Sequence, residues 1–206
     1  MELHELIEKN NRILLLMEHF GTGFTVADLT IEELCRLRDI NPEIFACFCN
    51  LYNGNFQNFY EPKNSEDINQ IIVFLENAHR YYTDEIYPEI KYYIKKLSEI
   101  NDTDDIKMLE KFFELYFSEV KKHLEYEQKK LFPMLRAMDF SAKGGSKVRH
   151  GDIETKLADL KNLLLKHIRL VDKNGLKRKL LTAILEFQFD LNVHSMIEES
   201  LLKNLK

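Results

Sequence analysis

His123-Leu-Glu-Tyr-Glu127-Gln-Lys-Lys-Leu-Phe-Pro133 sets a histidine and a glutamate four residues apart, just ahead of an apolar pair and a proline. Residues four apart share one face of an α-helix. Leu109, Phe112, Tyr116, Val120, His123, Glu127, Leu131 and Met134 extend that face at spacings of three and four, the signature of a helix with one buried stripe. An imidazole and a carboxylate thus interrupt a stripe that is otherwise apolar or aromatic. Alone, this is weak: a buried histidine is usually a hydrogen-bonded core residue, and His4 and Glu8 repeat the spacing in isolation.

Three more segments carry the same kind of stripe. The last reads Leu180, Ile184, Phe187, Leu191, His194, Glu198, Leu201 and Leu205, again with glutamate four residues after histidine. The first reads Ile68, Ile72, Leu75, His79, Tyr82, Ile86, Ile90, Tyr93 and Leu97, and the third His150, Ile153, Leu157, Leu160, Leu164, Ile168 and Val171. Asn64 or Ser65 caps the first segment, Asp102 or Thr103 the second and Ser146 the third, while Asn174-Gly175 separates the last two. Connections of about 4, 7 and 2 residues suit antiparallel neighbours, so the expected fold is all-α, an up-down antiparallel four-helix bundle over residues 64–206. Ahead of it, residues 1–60 form a small helical module with helices near 2–19, 30–37 and 42–52. A Gly-, Asn- and Pro-rich stretch from Asn53 to Ser65 divides the two parts.

Depth turns four isolated histidines into one site. At about 1.5 Å per residue, His79 lies roughly 28 Å before its helix ends and His123 roughly 30 Å after its own begins. His150 lies roughly 35 Å before its helix ends and His194 roughly 28 Å into the last, a difference of about one turn. Four imidazoles and two carboxylates at one level, with no Lys or Arg on their stripes, would be costly to desolvate unless a cation joins them. His79, His123, Glu127, His150, His194 and Glu198 are therefore the candidate metal ligands. Imidazole with bridging carboxylate suits iron, manganese or zinc. Six ligands are too many for one tetrahedral zinc but suit two metals, each with two histidines and both sharing the glutamates. Open positions remain for water or a small molecule. Glu76 and His79 have the Glu-x-x-His spacing of ferritin-like sites, but no second copy exists.

Composition narrows the partners. Of 206 residues, 45% are hydrophobic and 31% charged, with only 4 Pro and 7 Gly, which favours long helices over sandwiches and barrels. A net charge of −5 without a basic stripe argues against nucleic acid. No apolar run approaches the roughly 18 residues of a membrane span. The acidic start Met1-Glu2-Leu3-His4-Glu5 lacks the basic region of an export signal, so a cytoplasmic setting with reduced thiols at Cys35, Cys47 and Cys49 is expected. His4, His19 and His167 lie off the site, and Tyr82 and Tyr116 belong chiefly to the core near it.

At these residues the chain resembles the hemerythrin-like superfamily. His123-x-x-x-Glu127 with Leu131-Phe132-Pro133 is similar to its second-helix signature, and His79 with Ile86-Tyr87-Pro88 to its first-helix motif. The order of a lone His, His-x-x-x-Glu, a lone His and His-x-x-x-Glu after a short N-terminal module most resembles the repair-of-iron-centres (RIC) proteins. The likeness covers residues 65–205 and extends thinly to Thr30-Ile31-Glu32-Glu33-Leu34-Cys35. It implies two non-haem irons in an oxo- or hydroxo-bridged centre, and a role in repairing iron–sulfur clusters damaged by nitrosative or oxidative stress. Damaged iron–sulfur proteins, nitric oxide and oxygen are the implied partners. A nitric oxide or oxygen sensor, or an oxygen- or iron-binding module without turnover, uses the same ligand set. No nucleophile or acid–base pair beyond the ligands points to catalysis. The chain departs from the family where Phe24-Thr25 stands in place of an adjacent Cys-Cys pair, where Arg149 precedes His150 and where Glu199 follows Glu198. Glu154, one turn past His150, is a further candidate ligand or a hydrogen-bond acceptor behind one; oxygen carriers have histidine at that turn.

Overall fold

The computed structural model describes residues 2–57, 59–137 and 151–203, and their regular structure is all helical, with no strand beyond an isolated bridge between Glu2 and Thr30. Four short helices come first: α1 (Leu3–Lys9), α2 (Ile13–His19), α3 (Ile31–Arg38) and α4 (Pro42–Tyr52). The long segments follow as α5 (Ser65–Tyr81), α6 (Tyr87–Ile100), α7 (Asp104–Tyr126), α8 (Phe132–Ala137), α9 (Gly151–Lys166) and α10 (Leu176–Lys203). Single π-helical turns, Tyr82–Ile86 and Glu127–Leu131, join α5 to α6 and α7 to α8. None of the described helices is long and apolar enough to cross a membrane.

The chain divides into two compact units. One comprises the described residues of Met1–His79, Lys130–Val148 and Val193–Lys206; the other those of Arg80–Lys129 and Arg149–Asn192.

In the first unit the short helices are held by local chemistry. Thr30 and Glu33 close a reciprocal capping box on α3, which ends in a left-handed Asp39. The helix expected over 2–19 is broken at Asn10, an extended C-cap whose N–H still donates to Leu6 O while its side-chain amide donates to Tyr52 O (3.0 Å) and Asn53 Oδ1 (2.8 Å). Phe74 of α5 gathers the core here, 4.8 Å from both Phe20 and Phe48 and edge-on to His19 at 5.2 Å. Asp67, 3% exposed, accepts from Asn41, Tyr60 and the Lys63 N–H, tying the 53–64 loop and the start of α4 to the first turn of α5.

In the second unit α7 packs against both α6 and α9. Tyr87 stacks on Phe117 at 4.2 Å and on Phe113 at 5.7 Å, and Tyr82 meets Phe187 at 5.1 Å. The link after α9 is pinned by Asn101, which accepts from Val171 N–H (2.7 Å) and donates to Val171 O (3.1 Å).

The π-turns correct the expected stripes. Tyr87 N–H reaches back five residues to Tyr82 O, so each such turn holds about one residue more than an α-turn. Beyond them single positions fall one residue late: Ile94 is buried where Tyr93 was expected, between Ile90 and Leu97, which are buried as expected, and Leu135 where Met134, 37% exposed, was expected. In α7 itself Phe113 is the buried residue and Phe112 is only half-buried. Val171, expected on the third stripe, is 59% exposed because α9 has ended at Lys166 and the backbone there serves Asn101 instead.

Candidate metal centre

Two of the candidate donors face each other in the first unit. His79, two residues before the end of α5, and His194 in α10 are 1% and 2% exposed, and their Nε2 atoms stand 3.3 Å apart. Phe132 stacks on the His79 ring at 5.3 Å and fixes its plane. Glu198, one turn after His194 on the same face of α10, is fully buried. Glu76, by contrast, turns away: both its oxygens accept from the Arg136 guanidinium at 2.9 Å in a fork, so the Glu-x-x-His spacing with His79 does not make it a donor.

The second unit holds the other described pair. His123 Nε2 lies 2.5 Å from Glu127 Oε1, with Glu127 fully buried and the His123 side chain 16% exposed. Glu127 opens the π-turn, and Tyr82 opens the other one three residues after His79. Both turns precede prolines, Pro88 and Pro133, which lack the N–H an unbroken α-helix would use. His150, the sixth expected ligand, lies outside the described residues. Glu154, in the first turn of α9, is half-buried.

One buried carboxylate was missed by the sequence reading. Asp190 is fully buried in α10, four residues before His194. The stripe read from the spacing runs through Leu191, one place after Asp190, whereas an acid four residues before a histidine also shares its face. Such a carboxylate is the usual means of orienting a ligating imidazole.

These buried His and Glu groups could bind a metal ion. The donor chemistry fits: imidazoles and carboxylates, His123 partly exposed and the others withdrawn from water, while the described buried residues include no Lys or Arg to balance the acids. The remaining histidines lie elsewhere. His19 is buried among Phe74 and Tyr52, and His167 is exposed. His4 lies at the surface with Glu2 and Asp28, donor atoms within 4.8 Å of one another, a grouping that water alone can satisfy. The three cysteines are free thiols. Burial pushes the Cys35 thiol up to about 11 and Cys49 up to about 12, and raises Cys47 as well, so none is poised as a thiolate at neutral pH.

Compared with protein-family models, curated proteins and solved structures, the chain finds no match among any of the three.

Proposed function

We propose that residues 64–206 form a hemerythrin-type, up-down antiparallel four-helix bundle around two non-haem irons, held by His79, His123, Glu127, His150, His194 and Glu198. We further propose that the protein works in the cytoplasm on iron–sulfur clusters damaged by nitrosative or oxidative stress. The observation that carries the reading is the withdrawal of imidazole and carboxylate donors from solvent face to face, His79 with His194 and His123 with Glu127, where no buried Lys or Arg among the described residues offsets them. A pair of irons in such a donor set offers open positions for a small ligand and a redox couple near it. The order of the four ligand motifs along the chain, similar to that of the repair-of-iron-centres proteins, supports the choice of iron and of repair.

The thiols favour one alternative, a sensor in which nitric oxide or oxygen binds without turnover. Buried thiols with raised pKa leave the N-terminal helices without a reactive group to offer a damaged cluster. One preparation separates the two readings. Metal analysis should give close to two irons per chain, and one zinc per chain from iron-replete cells would end the di-iron reading. Added to a nitrosylated iron–sulfur enzyme, the loaded protein restores activity if it repairs; tight nitric oxide binding without recovery marks a sensor.

A further inference from the structure

Tyr116 is 2% exposed in α7, and its hydroxyl is buried with no hydrogen-bond partner among the described residues. A hydroxyl taken out of water and left without a partner costs the full desolvation of that group, whereas phenylalanine would fill almost the same space at no such cost. The charge that bears on this phenol comes from α9: burial raises the Tyr116 pKa and the Glu154 carboxylate raises it further, so the phenol keeps its proton and is a donor. Glu154 sits half-buried in the first turn of α9, the helix packed against α7. A donor on α7 and an acceptor on α9 thus lie on packed helices of one unit, within electrostatic reach and without a direct hydrogen bond.

We propose that the Tyr116 hydroxyl and the Glu154 carboxylate are the two ends of a buried site for one small, neutral, protic molecule, with water as its occupant. The chemistry of the two ends selects that class. The occupant must accept from the phenol and donate to the carboxylate. An anion is repelled by Glu154, an ammonium ion cannot accept, and a diatomic gas has no proton to donate. Water does both at ordinary hydrogen-bond lengths and links α7 to α9. The site stands independently of the metal reading.

The test is a thermal double-mutant cycle on the full chain, Tyr116→Phe, Glu154→Gln and both together, at matched metal content, with a crystal structure of the wild type. Tyr116→Phe should lower Tm by about 2–4 °C, and the losses should be less than additive in the double variant, because both changes weaken the hold on the same occupant. The crystal should show water within about 3 Å of both Tyr116 Oη and a Glu154 oxygen. A rise in Tm for Tyr116→Phe, strictly additive losses, or a protein atom in place of the water would each overturn the proposal. Neither readout needs iron, so the coupling decides this site alone, while the metal content of protein from iron-replete cells decides the di-iron reading separately.

Discussion

His79 Nε2 and His194 Nε2 face one another at 3.3 Å, on side chains almost wholly withdrawn from solvent. One shared proton satisfies that pair in the absence of a metal, and a cation replaces the proton by drawing on both lone pairs. The consequence is a ligand-loss pattern. His194→Ala and His123→Ala should each lose most of the bound iron, whereas His167→Ala, at an exposed position, should retain it. Iron content of the three purified variants decides the matter; equal content in all three would show that the metal, if bound, is held elsewhere.

Glutamate chemistry gives a sharper distinction. Glu127 and Glu198 are fully buried, while Glu154 is half-buried. If the first two bridge the irons, changing either to Gln removes the charge that holds both metals, and iron occupancy and magnetic coupling should fall together. Glu154→Gln should act more mildly on the centre. Mössbauer spectra of the diferric protein report the coupling directly. Coupling lost in Glu154→Gln but kept in Glu127→Gln and Glu198→Gln would refute the bridging assignment.

Helical periodicity made most of this site legible. Every described residue of the stripe in α10, from Leu180 to Leu201, is buried, because an unbroken α-helix keeps the spacing that the sequence displays. Ile90 and Leu97 beyond the first π-turn are buried as expected, but Ile94 and Leu135 take the places expected of Tyr93 and Met134, since a π-turn leaves no mark in hydrophobic spacing until a buried residue falls one place late. Pro88 and Pro133 were the available signal: a proline inside a helical stripe demands a local change in the hydrogen-bond ladder. Asp190 escaped for a different reason, as the spacing of three and four runs from Phe187 through Leu191 to His194 and steps past it. Asn10 shows the limit of period alone, because its amide is recruited by Tyr52 and Asn53, 42 and 43 residues away.

Asp67 yields a prediction about acid stability. Burial works to raise its pKa, but the Lys63 N–H, the Tyr60 hydroxyl, the Asn41 amide and the Lys63 charge together hold it below the ordinary carboxylate value. A carboxyl depressed on folding stabilises the protein above its unfolded pKa of about 3.9, and that contribution is lost as pH falls through the lower folded value. Asp67→Asn should therefore cost about 2 kcal/mol at neutral pH, a Tm loss of roughly 4–8 °C. The gap between wild type and variant should persist down to about pH 4 and close only below it. A gap independent of pH down to 2 would mean that packing, not the ionised carboxyl, is responsible.

The π-turn at Tyr82–Ile86 makes opposite predictions for two single-residue deletions a turn and a half apart. Ahead of Ile94 the buried residues run Tyr82, Ile86, Ile90, at a spacing of four throughout. Deleting exposed Glu85 shortens the first interval to three and restores the spacing of an ordinary α-helix, so Ile90, Ile94 and Leu97 stay on the buried face. Deleting exposed Lys91 removes a residue from regular α-helix and rotates everything after it by about 100°, turning Ile94 and Leu97 away from the core. Both are now essentially fully buried, at 1% and 0% exposure, and exposing two such side chains costs about 3–6 kcal/mol. The Lys91 deletion should therefore lower Tm by roughly 6–24 °C, and the Glu85 deletion by only a few degrees. Thermal melts and far-ultraviolet circular dichroism of the two variants provide the comparison. If both deletions are equally damaging, the π-turn is not a one-residue insertion that the helix tolerates losing, and the register shift seen at Ile94 needs another cause.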